Sequence, residues 1–180
     1  LEAVRTAAPD GPKLIAMIET PHAVMSLPAL MASAEGVGLA GLIAGTNDLA
    51  KALRLPADRT RTGLVPHLAS MVLAGRAAGL FVLDGVFNAY RDDEGFELEA
   101  HQGKALGFDG KSLIHPAQVP LANRVFAPTP AEIERAHAIV SAFADAPGKG
   151  AIPFDGEMIE QLHRERAEAL IRSVEERTTR

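Results

Sequence analysis

Four short apolar runs recur along the chain: Leu14–Ile18, Leu39–Ala44, residues 80–83 and residues 112–114. None alternates apolar with polar positions. Continuous apolar runs this short predict strands buried on both faces, as in a parallel sheet. Between them the spacing turns helical. Residues 21–34 are rich in Ala, Met and Leu, and residues 62–78 keep Leu64, Leu68, Met71 and Val72 on one face. Residues 92–106 open with an acidic turn, which suits the helix dipole. Gly79 and Gly107 stand just before the third and fourth runs, where helix C-caps belong. Strand followed by helix, repeated four times, predicts an α/β fold with right-handed crossovers.

After residue 128 the rhythm changes. Thr129, Pro130 and Glu132 predict a capped helix start, with the helix running to about Ala144. Pro147-Gly148-Lys149-Gly150 breaks the pattern. An extended piece over 151–154, a turn at Asp155-Gly156 and a charged helix over about 157–176 complete the prediction. Residues 1–128 and 129–180 are therefore expected to form separate parts. Four βα units do not close a barrel, which needs roughly 200–250 residues. The chain starts at Leu1 without Met, and reads as the second half of something longer.

Composition narrows the chemistry. Lys and Arg number 18 against 23 Asp and Glu, for a net charge of −5, so no basic surface for nucleic acid is expected. There is no Cys, which excludes disulfides, thiolate zinc sites and cysteine nucleophiles. No apolar run reaches the roughly 18 residues of a membrane span, and no signal-peptide pattern opens the chain. A cytoplasmic protein is expected. With 7 Phe, 1 Tyr and no Trp, the core is aliphatic.

In parallel α/β folds the chemistry sits at the carboxyl ends of the strands. Those positions hold Glu19, Asp48, Asp84 and His115. Glu19 and Asp48 end consecutive runs, and neighbouring parallel strands lie about 4.8 Å apart. Two carboxylates so placed can share one hard cation such as Mg²⁺, with substrate oxygens and water completing its shell. Alternatively Asp48 caps a short helix and Glu19 is a solvated loop acid. The Gly45-Thr46-Asn47-Asp48 turn favours the first reading, since its small residues let backbone N–H groups face a carboxylate ligand. Asp84-Gly85 reads as a turn more than as a third site position. His115 reads equally as a ligand contact and as a residue satisfying local carbonyls. Asp155, beside Ile152 and Phe154 in a Gly-rich segment, reads as a turn residue or as a base desolvated on closure.

Three segments in this order resemble the citrate lyase beta-subunit family of CoA-ester lyases: Ile18-Glu19-Thr20-Pro21, Gly45-Thr46-Asn47-Asp48-Leu49 and the block from Leu106 to Pro116. Malyl-CoA lyases and malyl-CoA thioesterases belong to that same HpcH/HpaI aldolase/citrate lyase superfamily. Phe154-Asp155-Gly156-Glu157-Met158-Ile159 resembles its C-terminal lid motif. The resemblance implies a (β/α)8 TIM barrel of the phosphoenolpyruvate/pyruvate type, here its C-terminal half (units 5–8) plus the lid. It implies Mg²⁺, or Mn²⁺ in its place, on Glu19 and Asp48. It places the keto-acid carboxylate on the backbone amides of Asn47 and Asp48, and acid–base catalysis at Asp155. In the family that lid acid reaches a neighbouring subunit, so a trimer or hexamer is implied.

The implied reaction is reversible C–C cleavage of a 3-hydroxyacyl-CoA such as malyl-CoA or citramalyl-CoA, with glyoxylate or a keto acid as the small partner. The lid reads Glu160-Gln161-Leu162-His163, without the proline that many lyases of the family carry before that histidine. A malyl-CoA thioesterase on the same scaffold, or an inactive half-barrel subunit, is the alternative. Lys104, Lys111, Arg124 and Lys149 are the basic residues considered for CoA.

Overall fold

The computed structural model describes residue 6 and residues 11–178. The chain divides into two compact units between Phe126 and Ala127. In the first, the strands β1 (Leu14–Ile18), β2 (Leu39–Ala44), β3 (Phe81–Asp84) and β4 (Gly110–Lys111) form a parallel sheet in chain order. The helices are α1 (Pro21–Met25), α2 (Leu27–Ala32), α3 (Thr46–Ala52), α4 (Val65–Ala77), α5 (Asp93–Leu106) and α6 (Gln118–Phe126).

β1 and β2 coincide with the predicted runs. β3 starts one residue late, because Leu80 still belongs to the end of α4. Its N–H bonds to the Gly75 carbonyl at 2.8 Å, while the Gly79 N–H bonds to that of Arg76. With Gly79 at φ 68° this is a Schellman stop. The fourth strand is Gly110–Lys111 and not the predicted run at 112–114, which lies beyond it. Backbone pairing decides this, since the Asp109 N–H bonds to Val82 O and the Ser112 N–H to Asp84 O. The predicted helix over 21–34 is two helices broken at Ser26. Pro28 has no N–H to offer the Val24 carbonyl, and its ring crowds that turn.

The strands are also not covered on both faces. Ala16, Ile18, Leu42 and Val82 point into the main core, which Leu68 and Met71 of α4 complete. On the opposite face Ile15 is 47 % exposed, Met17 54 % and Phe81 36 %. Right-handed crossovers between strands in chain order put every helix on one side of the sheet. The other side stays open, although its residues are as apolar as the covered ones.

The second unit consists of α7 (Pro130–Ala144), the antiparallel hairpin β5 (Ala151–Phe154) and β6 (Glu157–Glu160), and α8 (Gln161–Thr178). The Thr129 side chain accepts the Glu132 N–H and the Glu132 carboxylate accepts that of Thr129, closing the predicted capping box. Residues 157–160 are a strand and not the start of the last helix. Asp155 (φ 50°) and Gly156 (φ 78°) are both left-handed, as a type I′ turn requires, and such a turn sends the chain straight back. Ile159 then sits opposite Ile152, and both are buried with Ala136, Ile139, Phe143 and Ala167. Among the described residues, no helix is long and apolar enough to cross a membrane.

Candidate functional site

Glu19 immediately follows β1, and Asp48 lies in the first turn of α3, directly after β2. Both line one cavity of about 100 Å³, together with Gly45, Thr46, Asn47 and Val86. Among the described residues neither carboxylate has a hydrogen-bond or ion-pair partner. Two uncompensated acids sharing a small cavity repel one another, and an oxygen-seeking cation relieves that repulsion. No group of three or more His, Cys, Asp or Glu converges elsewhere among the described residues. A donor set of two carboxylates suits Mg²⁺, which keeps several water ligands, better than zinc.

Gly45 is what lets the two strand ends approach. A Cβ there would stand 2.3 Å from Glu19 Cβ and 3.1 Å from its Cα. Gly45→Ala therefore has to push the Glu19 backbone aside. It is expected to destabilise the protein by about 1–3 kcal/mol, as overpacking does. A thermal melt beside the wild type checks this, and an unchanged Tm would contradict the contact.

Asn47 faces the next loop. Its Nδ2 donates to Oδ1 of Asn88 at 3.2 Å, and Nδ2 of Asn88 donates back to Oδ1 of Asn47 at 2.7 Å. The loop after β2 is thus tied to the loop after β3. Nothing in the sequence marks Asn88.

Asp84 is neither a turn residue nor part of the open face. It is fully buried beneath the helices. Its carboxylate accepts from Arg61 Nη1 at 2.8 and 3.0 Å, from Lys111 Nζ at 3.0 Å and from the Gly85 N–H at 2.8 Å. Lys111 also donates to Glu99 at 2.6 Å, and Arg61 Nε to Gln102 at 2.9 Å. Two cations and two anions balance. Gly103 makes room for them, since a Cβ there would lie 2.7 Å from Asp84 Oδ2. Lys111 is consumed in this network and is withdrawn as a CoA contact. Arg124 is paired with Glu97.

Arg61 reaches Asp84 from a left-handed backbone position (φ 53°). The preceding turn is wound around Asp58, which accepts from the Thr60 hydroxyl and from the N–H groups of Thr60 and Thr62. Those bonds, the Thr60 hydroxyl foremost, hold the Asp58 carboxyl down at about 2 against an ordinary 3.8. The folded value is depressed. The turn's contribution to stability is therefore present above pH 3.8 and fades as the pH falls through about 2.

His115 resolves toward local structure. Its Nδ1 accepts the Ala117 N–H at 3.1 Å, and its ring stacks on Tyr90 at 4.6 Å. His163 accepts the Glu160 N–H at the start of α8. Asp155 stands in the second unit, at the tip of the β5–β6 hairpin, and is largely exposed. Arg135 of α7 pairs with it at 3.3 Å and with Glu157 at 2.7 Å, while its guanidinium lies over the Phe154 ring.

A parallel sheet wound in chain order, with paired acids at consecutive strand ends, places the chain among α/β proteins whose site lies at the strand carboxyl ends. The chain belongs to the HpcH/HpaI aldolase/citrate lyase family, which matches residues 4–116 and is the family its motifs indicated. It is 46 % identical over 165 residues to a (3S)-malyl-CoA thioesterase of Cereibacter sphaeroides, covering 91 % of this chain and 56 % of the relative. It is 33 % identical over 161 residues to the citrate lyase subunit beta of Haemophilus influenzae, covering 88 % and 55 %. Among solved structures it resembles CitE of Mycobacterium tuberculosis in complex with magnesium, acetoacetate and coenzyme A. That match has a TM-score of 0.77 at 26 % identity and covers 91 % of this chain and 61 % of the other. The chain thus spans about half the length of the curated relatives it matches.

Proposed function

We propose that the chain supplies the second half of a (β/α)8 barrel enzyme that hydrolyses the thioester of (3S)-malyl-CoA, with Mg²⁺ held by Glu19 and Asp48. The observation that carries this is the 46 % identity to a (3S)-malyl-CoA thioesterase along 91 % of the chain. It revises the C–C lyase expected from the motifs in favour of the hydrolase. The open sheet face with Ile15, Met17 and Phe81 is the face that the remaining strands of such a barrel would cover.

Glu19 and Asp48 would hold Mg²⁺, which would supply positive charge to polarise the substrate's hydroxyl and carboxylate oxygens. The backbone N–H groups of Asn47 and Asp48 hold the substrate carboxylate. Asp155 of a neighbouring subunit, as the resemblance implies, would take a proton from water as the water oxygen attacks the thioester carbonyl carbon. The C–O bond forms, the C–S bond breaks, and the proton passes to the CoA thiolate, giving malate and free CoA. A homo-oligomer, trimer or hexamer, is the assembly the resemblance implies for the full-length enzyme.

The 33 % identity to a citrate lyase subunit beta favours a second reading, C–C cleavage to acetyl-CoA and glyoxylate. One experiment separates them. The full-length protein is incubated with (3S)-malyl-CoA, with Mg²⁺ or with a chelator, and the products are resolved by mass. Malate and free CoA, formed only with metal, are expected. Acetyl-CoA and glyoxylate would establish the lyase instead, and intact substrate under both conditions would exclude both readings.

A further inference from the structure

We infer that Asn88 is a positioning residue for the site of Glu19 and Asp48, acting through Asn47; this rests on the function proposed above. Each side chain of the pair gives one donor and takes one acceptor, at 2.7 and 3.2 Å, so the two amides close on one another. Asn88 belongs to the loop after β3, and Asn47 immediately precedes Asp48. Asn47 borders two cavities. One, of about 100 Å³, holds Glu19 and Asp48, and the other, of about 360 Å³, is lined by Arg59, Arg61, Phe87 and Asn88. Thr46 and Val86 border both as well. The amide pair therefore stands in the wall between them. Both partners are exposed, so an unpaired Asn47 side chain would be free to rotate into either cavity. Pairing holds it in one orientation beside Asp48.

The test uses the full-length protein and malate as the probe, with Mg²⁺ present. Malate affinity is measured by calorimetry for the wild type, N47A, N88A and the double variant, and Tm is recorded for each. Asn88→Ala is expected to weaken malate binding about tenfold, because Asn47 is then no longer held in one orientation beside Asp48. Its Tm should stay within about 2 °C of wild type, an effect under about 1 kcal/mol. In the Asn47→Ala background the same change is expected to do nothing further, because the partner is gone. A malate affinity in N88A within twofold of wild type would overturn the inference. So would an equal loss in both backgrounds, the mark of a structural role. A wild-type protein that binds no malate with Mg²⁺ would sink the functional reading itself, and this inference with it.

Discussion

Asp84→Ala is expected to lower stability by about 3–5 kcal/mol, the loss typical of breaking a buried ion pair from one side. Removing the carboxylate leaves Arg61 and Lys111 under the helices with Glu99 as their remaining anion. The Lys111 side chain has no exposure at all, so water cannot take over the lost charge. Against a total stability of about 5–15 kcal/mol, this is enough to populate the unfolded chain. Asp84→Asn retains Oδ1 for Arg61 and the Gly85 N–H, and is expected to lose less. Arg59→Ala removes a partner of Asp92 from an exposed pair at 2.7 Å, and is expected to change stability by under about 1 kcal/mol. Urea midpoints for the three variants check the order. A loss below about 1 kcal/mol in Asp84→Ala would show that the network contributes no more than a surface pair.

Glu19→Gln and Asp48→Asn are each expected to weaken Mg²⁺ binding by more than about a hundredfold. Even groups one shell removed from a metal are worth about 10–100-fold, and a ligand itself is worth more. The effect on the fold runs the other way. Among the described residues both carboxylates lack a partner, so neutralising one relieves repulsion and should leave Tm unchanged or slightly raised without metal. The wild type should gain Tm on adding Mg²⁺, by mass action, and the two variants should not. Melting curves with Mg²⁺ and with a chelator read both effects. A full Mg²⁺ response in either variant would remove that residue from the proposed metal set.

These contrasts follow what the sequence could and could not carry. β1, β2, α7 and the stops at Gly79 and Gly107 were legible because each depends on a local cue: a continuous apolar run, a capping box, a left-handed glycine. β4 falls outside the predicted apolar run because Gly110 and Lys111 have no strand signature, and their place is set by pairing with Leu83 and Asp84. β6 reads as helix in the sequence because Glu157-Met158-Ile159-Glu160 joins a charged helical segment, and only the turn at Asp155 reverses it. The open sheet face was invisible, since Met17 and Ile18 look alike in sequence yet point to opposite sides. Glu19 and Asp48 stood out because each ends an apolar run. Arg61 and Asn88 did not, since both lie in loops and acquire partners 23 and 41 positions away.

The chain order of the sheet also keeps its strand pairings local. Each strand pairs with the next one in sequence, so each pairing closes a loop of a single βα unit at modest entropic cost. Closing β1 against β2 is enough to bring Glu19 and Asp48 together. Arg61 already pairs with Asp84, whereas the second anion, Glu99, is balanced only when Lys111 of β4 is in place. The paired acids thus need only β1 and β2, whereas the buried network of Arg61, Asp84, Glu99 and Lys111 needs the fourth strand of this sheet as well.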